Sequence, residues 1–479
     1  MTHNGVDLAA AARQEMIDHG FQPDMPPAAV QQLAGIQVQA DPALRDLTGL
    51  LWSSIDNDES RDLDQVEWAE RVDGGIRVLV GIADVDAAVT HGTPIDYYAS
   101  QETTTVYAGI RTFPMLPERL STDLTSLVEG ADRAAVVTEF VVAADGSIAS
   151  SAVYPARLHN RAQLTYNAVG PWLEGHGAAP AKVAASRDLE AQLRLQDQAA
   201  RALCEARHRL GALEFDRAEA VPVVSNSHVT ALVTRRRNQA SQLIEDFMIA
   251  ANEVMAQTLR KAGVSSIRRV VKAPERWPRI VELAERYGEK LPPEPDSTAL
   301  NQFLLSRKTA DPVHYADVSL AVLKLMGSGE YAMLRPVDHE EGHFGLAAND
   351  YTHSTAPNRR FADLVTQRLL KGIGGRAPYS DDELSGIARN CTLKEDAARK
   401  VQRAMNKRLA AMALKDRVGQ VFQAVVTGVT PKGVFVRALD PPVEGRLMRG
   451  EQGLDVGDQL RVRLTDTDPQ RGFIDFARM

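Results

Sequence analysis

Several features of membrane, secreted and disulfide-linked proteins are missing from this sequence. It has only two cysteines, Cys204 and Cys391, which stand far apart and without the spacing of a metal site. No run of about 18 apolar residues predicts a transmembrane helix, and no basic segment followed by an apolar core marks a signal peptide at the start. These absences favour a reduced, cytoplasmic protein with no membrane contact.

An excess of positive charge is also missing, because 55 Lys and Arg stand against 63 Asp and Glu and give a net charge of −8, which argues mildly against a nucleic-acid binder. Basic residues nevertheless cluster locally, as in the run Arg235–Arg237. Arg399, Arg403 and Lys407 recur at four-residue spacing, which places three cations on one face of a predicted helix. Such a stripe is either a solvated face or a phosphate-binding surface, and the sequence alone leaves both interpretations open.

Negative charge, by contrast, is concentrated in one short segment. Five carboxylates occupy the nine residues from Asp56 to Asp64. Like-charged carboxylates at contact distance repel and raise each other's pKa, so a soluble protein rarely gathers them without a cation. Asp56, Asp62 and Asp64 are hard oxygen donors, which suit Mg²⁺, Mn²⁺ or Ca²⁺ rather than Zn²⁺. The segment therefore predicts a divalent-cation site, with a solvated acidic loop as the alternative.

An EF-hand calcium loop is a second alternative for the same segment, since acidic or hydroxyl residues fill its ligand positions from Asp56 to Glu67. The sixth position, which needs glycine for a sharp turn, holds Arg61. An EF-hand also needs a helix on each side of the loop. Here residues 66–72 and 76–85 are instead rich in β-branched residues around the turn Asp73-Gly74-Gly75. The pattern favours a strand hairpin over an EF-hand.

The order of patterns along the chain predicts a multidomain α+β protein of ordinary globular composition, 44% hydrophobic and 25% charged. Residues 1–43 read as two short helices, either a helix-turn-helix that contacts nucleic acid or a packing element. Residues 44–415 form the large domain, in which strands precede long helices. Within it, Ser380–Lys415 reads as two helices. Residues 416–479 form a third domain.

This third domain contains five short strand patterns, which fit an OB-type barrel. Phe422 and Phe435 are candidates for stacking on RNA bases, and the alternative is that both rings belong to the barrel core. The glycine and valine pattern from Gly428 to Val436 resembles the ribosomal-protein S-one type of RNA-binding domain. We therefore expect RNA contact at the C-terminal end of the chain.

Five motifs stand in one order along the chain, and together they are far more specific than any one of them. They are Asp56-x₅-Asp62-x-Asp64, Pro114-Met115-Leu116-Pro117, Ile244–Asn252, His343-Phe344-Gly345-Leu346 and Thr355–Leu364. This set resembles the ribonuclease II / ribonuclease R family of exoribonucleases. The resemblance covers roughly residues 44–415 and the C-terminal barrel.

The resemblance implies a role for each matching residue. It assigns the magnesium site to the three aspartates, with the next position, Gln65, as a further ligand, and it places Arg359 near the scissile phosphate. It implies RNA contacts from the aromatics Tyr107, Tyr166 and Phe215, from Glu245 beside the terminal ribose, and from Arg360. Taken alone, Tyr107 and Phe215 would more often be core residues.

Gln65 departs from the family pattern, which has a fourth aspartate at this position. An amide oxygen can ligate a cation but adds no negative charge, so we expect weaker binding at one metal position or help from Asp58 or another carboxylate. This departure also keeps open an RNA-binding regulator with impaired catalysis.

The resemblance implies a Mg²⁺-dependent exoribonuclease, with Mn²⁺ as an alternative ion. Its expected substrate is single-stranded RNA, degraded processively from the 3′ end to nucleoside 5′-monophosphates. No stable protein partner is implied, which fits a monomer.

Overall fold

The computed structural model describes residues 7–37, 41–215, 219–225, 228–235, 237–312, 315–338 and 342–479. The helices within these ranges are α1 (Leu8–Asp18), α2 (Pro27–Gly35), α3 (Pro94–Glu102), α4 (Tyr166–Leu173), α5 (Ala181–Ala184), α6 (Arg187–Arg209), α7 (Gln239–Lys261), α8 (Trp277–Arg286), α9 (Ser297–Ala310), α10 (Tyr315–Leu325), α11 (Phe361–Lys371) and α12 (Asp381–Ala413). None of them is both long and apolar enough to span a membrane.

The strands of the large central region are β1 (Arg45–Asp46), β2 (Trp52–Asp56), β3 (Gln65–Val72), β4 (Gly75–Ala83), β5 (Val106–Tyr107), β6 (Thr112–Phe113), β7 (Asp132–Val142), β8 (Ile148–Thr165), β9 (Glu219–Ser225), β10 (His228–Arg235), β11 (Ser266–Val270) and β12 (Glu330–Leu334). The C-terminal strands are β13 (Val421–Thr430), β14 (Gly433–Ala438), β15 (Glu444–Arg449), β16 (Gln459–Asp468) and β17 (Phe473–Arg478). Mixed helices and strands confirm the predicted α+β class.

The main sheet has the strand order β1-β8-β2-β3-β4-β7, and β8 also pairs with β7. This last pairing closes five strands into a ring. The hairpin between β3 and β4 turns at Gly74, whose φ of 90° suits glycine, as the Asp73-Gly74-Gly75 signal predicted. A Cβ at Gly81 would meet Leu158, Val66 and Trp52, so these side chains fill the inside of the ring.

Two long helices, α6 and α7, cover the outer face of this ring. The Phe247 ring of α7 packs edge-on against Phe140 of β7, with 6.3 Å between ring centroids. An Asn238 capping box starts α7, in which Asn238 and Ser241 bond each other's backbone amides. This cap fixes the first turns of α7 beside the ends of β2 and β3, where the acidic segment lies.

The two N-terminal helices pack at different places, α1 against α12 and α2 against α3. Leu8, Ala12 and Met16 of α1 share an apolar cluster with Val401 and Met405 of α12. α12 is one continuous helix of 33 residues, so the prediction of two helices over Ser380–Lys415 is wrong. Ser380 is the N-cap residue and forms a capping box with Glu383 just before the helix begins at Asp381. Gly386 does not interrupt the helix, because tertiary contacts can outweigh a low helix propensity.

The C-terminal strands form a closed barrel in the order β13-β14-β15-β17-β16, which confirms the five-stranded OB-type prediction. Phe422 is 5% exposed and packs edge-on against Phe476 inside this barrel. The prediction that Phe422 stacks on bases is therefore wrong, because its ring belongs to the core. Phe435 stands between the buried Val434 and Val436 and is half-buried on the opposite side of β14. It remains a candidate for base stacking.

Candidate active site

The acidic segment folds as a loop between the end of β2 and the start of β3. Asp56 ends β2, and its Oδ1 accepts hydrogen bonds from the Asn57 amide at 2.7 Å and the Ser60 hydroxyl at 2.9 Å. The loop then returns the chain to Asp62 and Asp64. The three predicted aspartates and Gln65 line one cavity of about 470 Å³, which we call the acidic cavity.

Asp64 lies deepest in this cavity and is only 3% exposed. Its Oδ1 accepts a hydrogen bond from the backbone amide of Asn358 at 3.0 Å, and its Oδ2 lies 3.5 Å from Nε of Arg359. Burial raises the pKa of Asp64 to about 7, although the Arg359 guanidinium pulls it down. Two motifs that are distant in sequence therefore meet at one carboxylate, as the family resemblance implied.

Asp62 occupies the more open side of the cavity. Burial raises its pKa, and the charge of Arg359 partly offsets this effect. The Tyr107 hydroxyl donates to Asp62 Oδ2 across 3.4 Å. Because Tyr107 is 41% exposed, it is not a core residue, and its ring is accessible from the cavity.

The opposite wall comes from α4 and α7. Tyr166 begins α4, and its carbonyl accepts a hydrogen bond from the Asn238 side chain at 2.9 Å, which ties it to the cap of α7. About two turns into α7, Glu245 forms an ion pair with Arg237. Burial, and then the charge of Asp56, raise the pKa of Tyr166. The remaining lining residues were not predicted as site residues, although three of them lie within quoted motifs; they are Asn57, Ser60, Ser241, Ile244, Met248 and Thr355.

The structure does not bring every predicted contact residue to this cavity. Phe215 lines a different cavity, together with Cys204 and Asp246. Arg360 is paired with the fully buried Asp363, with Nε–Oδ2 at 2.9 Å and Nη2–Oδ1 at 2.7 Å. Arg360 thus does not line the acidic cavity, although it and Arg359 both line an adjoining cavity. Asp58 is exposed and accepts a hydrogen bond from the Asn167 side chain. It does not line the acidic cavity.

Gln65 and Glu67 share one face of β3, because alternate residues of a strand point the same way. Gln65 is 7% exposed, and its Nε2 lies 3.4 Å from the carbonyl of Ile55. Glu67 is fully buried, and neither of its carboxylate oxygens has a hydrogen-bond partner. Burial, and then Asp56, raise its pKa well above the usual range. In the sequence, Glu67 is considered only as the last ligand position of the EF-hand alternative, and the alternation along β3 with Gln65 is the signal for its place on this face.

The donor set of the acidic cavity fits a hard divalent cation. In the parts of the chain that the structure describes, no group of three or more His, Cys, Asp or Glu side chains is placed closely enough to hold one ion. The carboxylates of Asp56, Asp62 and Asp64 and the amide of Gln65 nevertheless face the same space, among other side chains with oxygen donors. Burial is the main cause of the raised pKa values of Asp62 and Asp64. The carboxylates in the described lining of the cavity outnumber its one arginine, Arg359, which leaves negative charge unbalanced when they are ionised. A cation with oxygen ligands would balance it.

Two further cavities continue from the acidic cavity toward the C-terminal barrel. The first, of about 250 Å³, shares Tyr107 and Arg359 with the acidic cavity and reaches Arg399 and Gln402 of α12. The second, of about 490 Å³, shares Arg399 and Gln402 and extends to the barrel. We call it the basic groove, since its cations are Lys324, Arg399, Arg403, Lys407 and Arg437.

The basic groove thus contains the whole cationic stripe of α12 that the four-residue spacing predicted. Its cations come from three parts of the fold, namely α10, α12 and the barrel. Of the run Arg235–Arg237, only Arg237 has a side chain within the described residues, and it pairs with Glu245 rather than lining the groove. The cationic stripe of α12 therefore faces a cavity.

Comparison with known proteins adds two family matches. The RNB domain matches residues 44–374, and the RNase II-type exonuclease C-terminal S1 domain matches residues 420–479. Ribonuclease R of Aquifex aeolicus is 30% identical over 462 residues, which cover 90% of this chain and 64% of that protein. Ribonuclease R 1 of Lactococcus lactis is 29% identical over 457 residues, covering 88% and 55%. The chain thus spans between about half and two thirds of these relatives' lengths.

Solved structures with the same fold include Mycoplasma genitalium RNase R in complex with ribose methylated single-stranded RNA. The TM-score is 0.89 at 22% identity, and the match covers 99% of this chain and 79% of that chain. The same protein in complex with double-stranded RNA matches with a TM-score of 0.88 at 23% identity, covering 99% and 84%. At this level of identity the likeness establishes the fold.

Proposed function

Because the chain belongs to the RNB-domain family, whose domain covers more than half of it, we propose that it is a divalent-metal-dependent exoribonuclease. Its substrate is single-stranded RNA, hydrolysed processively from the 3′ end to nucleoside 5′-monophosphates with Mg²⁺ or Mn²⁺. Polarity and product follow from the family resemblance. We further propose a division into residues 1–43, 44–415 and 416–479, which agrees with the end of α12 at Ala413 and the start of β13 at Val421.

The observation that carries this proposal is the position of Arg359 beside Asp64 at the end of a path from the basic groove. Asp56, Asp62 and Asp64 would hold the metal, with Gln65 as a neutral fourth donor. When bound, a divalent ion supplies charge neutralisation and a water of lowered pKa. The planar guanidinium of Arg359 then stabilises the charge that develops on the phosphate oxygens.

Substrate binding draws on residues at three places along the path. In the basic groove, the cations of α12 attract the phosphate backbone regardless of sequence. Next to the aspartates, the exposed ring of Tyr107 offers a stacking platform for a base. The carboxylate of Glu245 can accept a hydrogen bond from the terminal 2′-hydroxyl, the group that distinguishes RNA from DNA. Tyr166 faces the same space from the start of α4.

The test is digestion of a 5′-labelled, unstructured RNA of about thirty nucleotides, which exceeds the length bound by one OB-type module. We expect full-length RNA to convert directly to a very short labelled product with Mg²⁺. The reaction should stop in EDTA and in Asp64→Asn protein. Glu59→Gln is the matched control, since Glu59 is an exposed carboxylate of the same loop outside the acidic cavity.

The glutamine at position 65 supports one competing function, that of an RNA-binding regulator with impaired catalysis. RNA bound on a native gel but left uncut with either metal would support that function over ours. Activity that appears only after Gln65→Asp substitution would do the same. A ladder of intermediate products from the first time point would instead contradict processivity and leave the proposed exonuclease activity in place.

A further inference from the structure

A cavity of about 410 Å³ lies apart from the path between the basic groove and the aspartates. It shares no described lining residue with the acidic cavity, the cavity next to it or the basic groove. We call it the arginine cavity, because three arginines line it and Leu334 is the one apolar side chain described there. Its charged lining residues are Arg260, Arg268, Arg335, Asp338 and Asp350.

The three arginines reach this cavity from different parts of the fold. Arg260 lies in the last turn of α7, and Arg335 directly follows β12. Arg268 is the middle residue of β11, where side chains alternate between the two faces. The next residue, Arg269, pairs with Glu395 of α12 at 2.6 Å. Alternation therefore turns Arg268 away from α12 and toward the arginine cavity.

Arg268 is a buried cation without a bonded counter-ion. It is 5% exposed, and its Nη1 has no hydrogen-bond partner in the described part of the chain. Burial lowers the pKa of Arg268 to about 10, although the charge of Asp350 pulls it up, so it stays charged at neutral pH. Asp350 itself pairs with Arg260 at 2.7 Å, and Asp338 accepts a hydrogen bond from the Arg335 backbone amide at 2.7 Å. Because an uncompensated buried charge is costly, an anion in the cavity would stabilise this arrangement.

We propose that the arginine cavity binds a phosphate group. A tetrahedral phosphate presents several oxygens at once, and the guanidinium fork matches their geometry. The described lining offers no aromatic ring on which a base could stack, so the phosphate rather than a base would be recognised. Inorganic phosphate and a nucleoside 5′-monophosphate share this chemistry. The site is separate from the acidic cavity and does not depend on the proposed nuclease function.

The test is isothermal titration of inorganic phosphate into the whole chain, in EDTA and at constant ionic strength. EDTA prevents phosphate from binding through a metal at the aspartates. We expect Arg268→Met, which removes the charge from a long side chain, to weaken phosphate binding by about 10–100-fold, the effect of losing hydrogen bonds to a charged group. Arg376→Met is the matched control, since Arg376 is exposed and outside the cavity lining. It should bind phosphate as the parent does.

Thermal unfolding gives a second readout that is independent of RNA hydrolysis. Without phosphate, Arg268→Met should unfold at no lower temperature than the parent, since an uncompensated buried charge is gone. With phosphate, its gain in Tm should be smaller than that of the parent. Arg335→Gln is a second variant at the rim of the cavity, where the Arg335 side chain is 61% exposed and folding should tolerate the change. It should also weaken phosphate binding, by a smaller factor.

Adenosine 5′-monophosphate, titrated in parallel, distinguishes the two sources of the phosphate group. Binding at least as tight as that of inorganic phosphate would support a nucleotide, and binding of inorganic phosphate alone would support the free ion. A parent protein that binds neither would overturn the proposal. Phosphate binding that survives in Arg268→Met but is lost in Arg403→Ala/Lys407→Ala would place the ion in the basic groove and overturn it as well.

A folding failure would not leave the proposal untested. If Arg268→Met does not fold, parental phosphate affinity in Arg335→Gln overturns the arginine cavity by itself. Neither titration nor thermal unfolding measures RNA hydrolysis, so each of these results leaves the proposed exoribonuclease activity to its own test.

Discussion

The guanidinium of Arg359 lies beside the buried carboxylate of Asp64, with 3.5 Å between Nε and Oδ2. The backbone amide of Asn358, one residue earlier, donates to the other oxygen of the same carboxylate at 3.0 Å. One short loop thus both anchors Asp64 and presents an arginine to the cavity. The Arg359 side chain is 44% exposed, so a phosphate entering the cavity can reach it.

Arg359→Ala should lower the rate of RNA hydrolysis by about 10²–10³-fold, the usual cost of losing one donor that stabilises transition-state charge. Arg359→Lys should recover only part of this rate, because an ammonium cannot form the same planar fork. Single-turnover rates on a short RNA measure both effects. Thermal unfolding of each variant serves as the control and should match the parent. An Arg359→Ala protein with parental rates would remove Arg359 from the reaction.

Arg360→Ala should lower stability rather than act directly on the rate, because Arg360 donates hydrogen bonds to the fully buried carboxylate of Asp363. Removing one partner of a buried ion pair leaves the other charge uncompensated. We expect a loss of about 3–5 kcal/mol in the free energy of unfolding, measured by urea denaturation. Arg359→Ala is the matched neighbour and should lose little stability. Equal stability losses in the two variants would contradict the division of roles between these adjacent arginines.

Local chemistry explains which features could be predicted from sequence. The β3–β4 hairpin followed from its turn signal, and the barrel followed from strand spacing. The burial of Phe422 on β13 and the exposure of Phe435 on β14 could not be predicted. Alternation along a strand assigns a side chain to the barrel interior only once the strand's bounds and inner face are known. Likewise, the contact between Asp64 and Arg359 depends on how distant loops meet. A single sequence contains no direct signal for it beyond the family motif.

The aromatic ring and the hydroxyl of Tyr107 can be tested separately by two substitutions. Tyr107→Ala should weaken binding of a short single-stranded RNA by about 1–3 kcal/mol, the cost of losing one stacking platform. Tyr107→Phe keeps the ring and removes only the hydroxyl 3.4 Å from Asp62, so RNA affinity should remain near the parental value. Fluorescence anisotropy in EDTA measures binding without hydrolysis. Equal losses in both variants would show that the hydroxyl, not stacking, matters.

Glu245 should govern the preference for RNA over DNA. Its carboxylate lines the acidic cavity and is about half exposed, so it can accept a hydrogen bond from a 2′-hydroxyl. Glu245→Ala should lower the rate on RNA more than the rate on DNA of the same sequence, and so reduce the ratio of the two. Glu205→Ala serves as a control, since Glu205 lies outside the acidic cavity. An unchanged ratio in Glu245→Ala would place sugar recognition elsewhere.

The basic groove predicts a distinct dependence on salt. Arg403 and Lys407 of α12 line it beside the C-terminal barrel. Each phosphate contact with single-stranded nucleic acid adds about 0.7 to the slope of log affinity against log salt concentration. The double variant Arg403→Ala/Lys407→Ala should therefore bind RNA more weakly at low salt and have a slope smaller by about 1.4.

Anisotropy titrations of a thirty-nucleotide RNA at several salt concentrations would measure this slope. Arg376→Ala is the control, because Arg376 is exposed after α11 and lines neither the basic groove nor the two cavities that connect it to the aspartates. Its slope should equal that of the parent. Since the acidic cavity holds a separate set of residues, an RNA too short to reach the groove should bind the double variant and the parent equally. Weaker binding of that short RNA by the double variant would mean that the substitutions act on the acidic cavity rather than on the groove.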